Sequence, residues 1–322
     1  MLYNALRMHK IRDPSIQAED WQVWDYRQVP LDSLFELLAA YQLHLDRESF
    51  IAYADLCDSP EDLTDSLIGD TELTEASYDQ IFLVLFELWR RLVPEKRCLT
   101  VFCDELDHEM YLYDAGLLDN PEPLEDAIGS LKQVLEDVAD EGEDPKVLFE
   151  EICNGCAYDI EAFLFDFISE RIEHGNLSYA GELIDDFIDY VKEPKWFQLL
   201  EARFISAHSP MDIENEIEDL AKKASSEDDF TFVLEVLPFL IQEGDSKLFL
   251  EVARRSLNLL KTEEDFIDLL CLCADYFQCM DNEAKEQEIN TIMSDRGEIP
   301  FETPFDPNDE DIKKVKKVLR AT

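Results

Sequence analysis

The sequence predicts an all-α protein: a less regular helical part, followed by helical hairpins that stack into an α-α superhelix, or solenoid. Three observations predict this class. Apolar residues recur at helical spacing along most of the chain, and turn signals in the second half fall at nearly constant intervals. The 322 residues include only 9 Gly, too few for the many tight turns of a β-rich fold.

Composition indicates a folded chain in spite of its charge. Hydrophobic residues make up 46% of the sequence and aromatic residues 11%, whereas the formal net charge is -47. Disordered chains combine high charge with low hydrophobicity, and only the first half of that signature is present. At this length we expect either two domains or one elongated array of repeats.

The first region, residues 1–119, should be helical but irregular. Four main helices are expected there, over Leu31–Leu45, Glu48–Cys57, Ser77–Val93 and Cys98–Tyr113. The third contains the apolar run 81–86, which covers every side of a helix and should therefore be enclosed by neighbours. Trp21, Trp24 and Tyr26 are expected to pack across these helices, although a docking patch is the alternative.

The second region, residues 120–296, is predicted to consist of helical pairs. It begins at 120–123, where two prolines prevent a helix from continuing. An apolar stripe with offsets 0, 3, 4, 7 and 8 is formed by Ile160, Phe163, Leu164, Phe167 and Ile168, and the same offsets recur in Ala180, Leu183, Ile184, Phe187 and Ile188. Turns within the pairs, 33 to 36 residues apart, are expected near Gly142, Gly175, Ser209, Gly244 and Met280. A single pair cannot cover its apolar face, so neighbouring pairs must stack.

The turn sequences of this region resemble those of the tetratricopeptide family. The resemblance is carried by Glu173-His174-Gly175-Asn176 followed by Ala180, and by Gln242-Glu243-Gly244-Asp245. It implies a Gly-polar turn between two helices and a small residue five positions later that lets them pack closely. Ile168, Leu237 and Phe249 stand where the family has small residues, and Pro238 should kink or break its helix. We therefore expect tetratricopeptide-like geometry with divergent packing, and transfer no binding residues from the family.

The last region, residues 297–322, reverses the charge of the chain. Gly297 to Glu310 has the acidic, proline-containing composition of a linker, whereas residues 311–322 carry +4 against -51 for the rest. The apolar residues of this tail are spaced as in an amphipathic helix. The tail can dock on the acidic body in place of a basic partner, but a capping helix on the last repeat, or a mobile tail, is favoured.

Charge and composition also restrict the partners. A strongly negative field repels nucleic acid and anionic membranes and attracts basic proteins, so no direct nucleic-acid binding is expected. No apolar run is long enough for a signal peptide or a membrane span, which predicts a cytoplasmic protein. Eight Cys, among them Cys103, Cys271 and Cys273 in apolar stripes, fit reduced and buried thiols better than disulfides. No cofactor is expected.

Two short motifs resemble metal or redox sites. Glu105 and His108 have the spacing of di-iron ligands, but no second copy accompanies them, so His108 is interpreted as a surface residue of an acidic helix. Cys153 and Cys156 form a CxxC motif without a βαβ context or a second ligand pair, and are interpreted as thiols at a turn. No metal site is therefore predicted.

These observations favour a noncatalytic protein-protein interaction scaffold, either an adaptor or a chaperone, that binds a basic or amphipathic segment. The residues predicted to contact partners are four acids on repeat helices and four lysines of the tail: Glu161, Asp166, Glu201, Glu235, Lys313, Lys314, Lys316 and Lys317. The alternatives are a metal-dependent enzyme that uses His108 and clustered carboxylates, and a regulator that mimics nucleic acid.

Overall fold

A computed structural model shows an all-helical chain. It describes residues 5–96, 98–118, 120–208, 214–226, 228–243 and 245–320. Within these ranges the only β-type pairing is one isolated bridge between Thr262 and Pro304. The chain forms two compact units, Met1–Leu164 and Phe165–Thr322. This division differs from the predicted boundaries at 119/120 and 296/297.

The first unit is organised around one buried helix. Its helices are α1 (Ala5–Arg12), α2 (Leu31–Ala40), α3 (Arg47–Ala54), α4 (Pro60–Ile68), α5 (Glu75–Leu92), α6 (Leu99–Asp114), α7 (Glu122–Glu141) and α8 (Pro145–Gly155), with 3₁₀ turns at Asp20–Gln22 and Tyr26–Gln28. Helix α5 packs against α2, α3, α4 and the second 3₁₀ turn. Residues 81–89 of α5 are all buried, which confirms the enclosure predicted from its continuous apolar run.

The N-terminal segment and α2 differ in part from expectation. The helix predicted over Leu31–Leu45 ends at Ala40, because the backbone turns at Gln42 with a φ of 65°. Tyr26 is buried and Trp21 packs against the same core, as predicted. Trp24 differs, since 48% of it is exposed.

The second unit contains the helical pairs. The division between the units falls inside α9 (Ile160–Glu173), and the later helices are α10 (Leu177–Phe187), α11 (Pro194–His208), α12 (Glu214–Ser226), α13 (Phe230–Glu243), α14 (Ser246–Ser256), α15 (Glu263–Cys279), α16 (Glu283–Asp295) and α17 (Glu310–Val318). The turns expected near Gly142, Gly175 and Met280 each join two helices, with left-handed backbone at both glycines and at Asp281. The turns expected at Ser209 and Gly244 lie outside the described residues.

In each pair we call the helix before the turn the first helix and the helix after it the second helix. In the second unit, first helices pack on first helices of the next pair, and second helices on second helices. The first helices α11 and α13, and then α13 and α15, contact one another, as do the second helices α12 and α14. Gly181 of α10 allows close approach, since a Cβ there would lie 3.1 Å from the Phe204 ring of α11. Helix α13 continues through Pro238, whose side chain is exposed, so the proline does not end the helix.

The segment that follows α16 is held against the N-terminal end of α15 by hydrogen bonds. Glu263 N–H donates to Thr303 O at 2.9 Å, and Phe305 N–H donates to Lys261 O at 2.9 Å. The buried Arg296 side chain donates to Glu263 Oε2 at 2.6 Å and to Asp309 Oδ2 at 2.8 Å. The residues with linker composition therefore belong to the folded second unit.

Candidate functional site

An aromatic row links the first helices of the second unit. The Trp196 ring of α11 packs edge-on against Phe165 of α9 at 5.3 Å and against Phe232 of α13 at 5.2 Å, measured between ring centroids. Lys195 lies 5.5 Å from the centre of the Phe232 ring and pairs with Asp229 at 2.8 Å. Edge-to-face pairs add specific geometry to apolar burial. This row therefore fixes the first helices of three successive pairs relative to one another.

A half-buried polar row lies between the same helices. Arg203 of α11 donates to Ser169 Oγ of α9 at 3.2 Å and to Glu235 Oε2 of α13 at 2.8 Å. Its guanidinium also lies 5.5 Å from the centre of the Phe165 ring. One turn further along α11, the Ser206 hydroxyl hydrogen-bonds Glu243 of α13. Each of these contacts crosses from one helical pair to the next.

The four predicted acids have different surroundings. Asp166 and Glu201 are exposed, on α9 and α11. Glu235 is 42% exposed at its side chain and is paired with Arg203, which the prediction did not include. Glu161 belongs to the first unit and is half-buried.

Asp268 lies on α15, which is the first helix of the last pair, and was not among the predicted residues. Asp268 is largely exposed. The part of its carboxyl group that is buried, followed by the charge of Asp265, raises its pKa. Asp166, Glu201, Glu235 and Asp268 are separated by 35, 34 and 33 residues. This spacing equals one helical pair, so the repeat period was the signal that could have found Asp268.

The lysines of the tail are exposed on α17, while its apolar side is buried. Ile312, Val315, Val318 and Leu319 are buried, and α17 packs on α16. Lys314 pairs with Asp311 of its own helix at 2.6 Å. A groove of about 250 Å³ between α16 and α17 is lined by Glu288, Thr291, Ile292, Asp295, Lys314 and Lys317. Helix α17 therefore packs on α16 through its apolar side and leaves its lysines exposed.

The interpretation of His108 as a surface residue is wrong. His108 is half-buried on α6, and its Nδ1 is inaccessible and has no hydrogen-bond partner. Burial, followed by the charge of Arg27, lowers the pKa of His108 to about 4. In the described part of the chain, no group of three or more His, Cys, Asp or Glu side chains is placed to hold a metal ion.

The CxxC motif of Cys153 and Cys156 lies next to a third cysteine, Cys103. Cys156 Sγ, just after α8, donates to Cys103 O of α6 at 3.8 Å. Burial raises the pKa of Cys153 to about 12, and interaction with the side chain of Cys103, followed by burial, raises the pKa of Cys156. High pKa values keep these thiols protonated and poorly nucleophilic at neutral pH. Cys271, predicted to be buried, is exposed on α15, because it lies on the polar side of that helix.

Comparison with known proteins gives no relative: no family model, no curated protein and no solved structure matches the chain. Among the described helices, none is both long enough and apolar enough to cross a bilayer.

Proposed function

We propose that the chain is a noncatalytic interaction scaffold whose second unit binds a basic, amphipathic segment of another protein. In this proposal the pairs from α9 to α16 stack with tetratricopeptide-like geometry, and the exposed faces of the first helices adjoin. The observation that carries it is the recurrence of Asp166, Glu201, Glu235 and Asp268, one on each first helix, at intervals of one repeat.

The aromatic and polar rows support this proposal. Because they connect α9, α11 and α13 through side chains of limited freedom, they hold the first helices at fixed separations, and binding to a preorganised surface loses less conformational entropy. A peptide with basic groups spaced one helix apart would pair with successive carboxylates. Exposed charges of this kind increase the association rate and the selectivity more than the final affinity.

Arg203 determines how Glu235 can take part. Glu235 already accepts from this guanidinium at 2.8 Å, so a basic group of the partner must share its carboxylate. Asp166, Glu201 and Asp268 are the more exposed positions, and we assign them the larger part of the electrostatic attraction.

The test uses a labelled helical peptide built of Lys and Leu at amphipathic spacing. Its affinity is measured by fluorescence anisotropy for the wild type and for the triple variant Asp166→Asn, Glu201→Gln, Asp268→Asn. At about 0.2–1 kcal/mol for each exposed charge, we expect affinity to fall roughly tenfold at low salt, with the difference shrinking at high salt.

The matched control carries the same change in net charge on second helices: Glu218→Gln, Asp219→Asn, Glu251→Gln. These acids are exposed on α12 and α14, where they pair with Lys222 and Arg255 of their own helices. The proposal expects the control to bind nearly as the wild type does. Equal losses in the two triple variants would show attraction to net charge alone and would contradict a site on the first helices.

A further inference from the structure

Basic side chains converge at one place in the first unit of this acidic chain. Arg7 comes from α1, Arg27 from the second 3₁₀ turn, Arg90 and Arg91 from α5, and His108 from α6. Asp25, Glu87 and Asp104 supply carboxylates that pair with the arginines. Four guanidinium groups are thus brought together in a chain of net charge -47.

The ion pairs fix these side chains in place. Arg7 Nη2 donates to Asp25 Oδ2 at 3.1 Å, and Arg27 Nη2 pairs with the carboxylate of Asp104. Asp25 also accepts from the backbone N–H of Arg27 at 3.2 Å. The side chains of Arg7, Arg27 and Asp104 are 14%, 10% and 1% exposed. The two arginines are therefore held in place by carboxylates and are largely shielded from solvent.

Several polar atoms of this site have no partner. Arg7 Nη1, Arg27 Nε, His108 Nδ1 and Glu109 Oε2 are buried without a hydrogen bond, and only two other side-chain atoms in the described residues share that condition. Buried polar groups are nearly always hydrogen-bonded, by protein, water or ligand. Two guanidinium donors and an imidazole nitrogen of neighbouring side chains therefore have no partner within the protein and are available to a polar ligand.

The electrostatics identify the charge of that occupant. The groups that act on His108 after burial are Arg27, Asp25, Arg7 and Arg90, and three of these four are cationic and lower its pKa. A positive local potential attracts an anion and repels a cation. Guanidinium forks match the planar or tetrahedral oxygen arrangement of carboxylates and phosphates.

We propose that Arg7, Arg27 and His108 form a binding site for a small oxyanion of the phosphate or carboxylate class. The anion accepts hydrogen bonds from Arg7 Nη1 and Arg27 Nε, and the His108 ring contributes an N–H. The ligand would join α1, the 3₁₀ turn and α6, and so tie the N-terminal segment to the helical core.

Glu109 provides the competing explanation. Its orphaned Oε2 lies on the same helix as His108, and Arg27 lowers its pKa while burial, the larger effect, and Glu105 raise it. If the Glu109 carboxylate rotates to accept from Arg27, the protein closes the site itself. If ordered water fills the site, no saturable anion binding occurs. Both outcomes are distinguishable from the proposal.

The experiment titrates the full chain with inorganic phosphate and, separately, with acetate, at constant ionic strength maintained with chloride. The His108 imidazole is followed by NMR, and affinity is measured by calorimetry. We expect saturable binding of at least one anion, with a rise in the pKa of His108, because a bound anion stabilises the imidazolium. Absence of saturation, or an unchanged pKa of His108, would overturn the proposal.

Variants locate the binding. Arg7→Gln should weaken binding at least fivefold, and His108→Asn gives a second variant that leaves both arginines intact. Arg47→Gln removes an exposed arginine of α3 and should bind as the wild type does, which controls for net charge. Glu109→Gln should leave binding unchanged or strengthen it. Equal affinity in Arg7→Gln, His108→Asn and the wild type would refute this location.

Discussion

Buried ion pairs determine the response of individual residues to pH. Glu87 is completely buried, yet Arg90 donates to it at 2.6 Å, and Arg91 binds it as well as three backbone carbonyls of residues 26, 27 and 29. Burial alone would raise the pKa of Glu87, but the two guanidinium groups lower it below its usual 4.5. Arg91 therefore connects α5 to the N-terminal segment, and the Glu87 carboxylate holds this guanidinium in position.

A lowered pKa has a defined consequence for stability. Because the folded state holds Glu87 ionised, its contribution to the free energy of unfolding is present above about pH 4.5 and is lost as pH falls through the folded pKa. Glu87→Gln should cost about 1–3 kcal/mol at pH 7 and progressively less in acid. Urea unfolding at several pH values measures this, with Glu48→Gln, an exposed acid of α3, as the control. A penalty independent of pH would contradict the assignment.

Close packing at Gly155 gives a second prediction at this scale. A Cβ at this position would lie 2.9 Å from Cys103 Sγ, so Gly155→Ala should destabilise by about 1–3 kcal/mol through overpacking. Cys103→Ala removes the sulfur and should make the same glycine substitution much less costly. A double-mutant cycle in thermal or urea unfolding measures the coupling, and additive effects would show that the two sites do not touch.

At the scale of elements, α17 is held to the second unit by apolar burial and by the pair between Asp311 and Arg296 at 3.0 Å, rather than by its lysines. Leu319, at the end of α17, is fully buried, whereas Lys313, Lys316 and Lys317 are exposed. The Arg296 cluster, with Glu263 at 2.6 Å and Asp309 at 2.8 Å, holds the preceding segment against α15. Removal of one partner from a buried pair is costly because the other charge is left uncompensated.

We therefore expect the free energy of unfolding to fall strongly when a buried apolar residue of this segment is truncated and to change little when its exposed lysines are neutralised. Leu319→Ala should cost about 2–5 kcal/mol, while the triple change Lys313→Gln, Lys316→Gln, Lys317→Gln should change the free energy of unfolding by no more than about 0.5 kcal/mol for each residue. Both are measured by urea unfolding at low and high salt. A large, salt-dependent loss in the lysine variant would instead indicate electrostatic docking of the tail.

The sequence predicted those elements whose cause is local. The enclosed run 81–86, the turns at Gly142 and Gly175 and the amphipathic stripe of the tail all follow from neighbouring residues. The end of α2 was missed because no Gly or Pro marks the turn at Gln42. Arg296 and His108 could not be placed, because their surroundings include Glu263, 33 positions from Arg296, and Arg27, 81 positions from His108.

The partner-binding surface stays a prediction. Polar faces of the repeat helices pointed to Glu201 and Glu235, yet Arg203, which pairs with Glu235, was absent from the prediction. Such a pair depends on the packing of α11 against α13, which hydrophobic periodicity does not resolve. The contacts between pairs are nevertheless spaced at about one repeat, so the period carried part of the information.

At the scale of the molecule, the two compact units have separate roles in this account. The first contains the arginine cluster assigned to an oxyanion. The second contains the helical pairs to which we assign partner binding through carboxylates at repeat spacing. A negative net charge of 47 makes nonspecific attraction of any basic peptide a serious competitor, so the decisive evidence must be positional.

Hydrogen-deuterium exchange of the full chain, with and without the Lys-Leu peptide, gives that positional evidence most directly. We predict that bound peptide slows amide hydrogen exchange in residues 165–173 of α9 and in α11, α13 and α15. This protection should weaken at high salt. Protection confined to α12 and α14, or spread evenly over acidic segments of both units, would contradict a binding surface on the first helices.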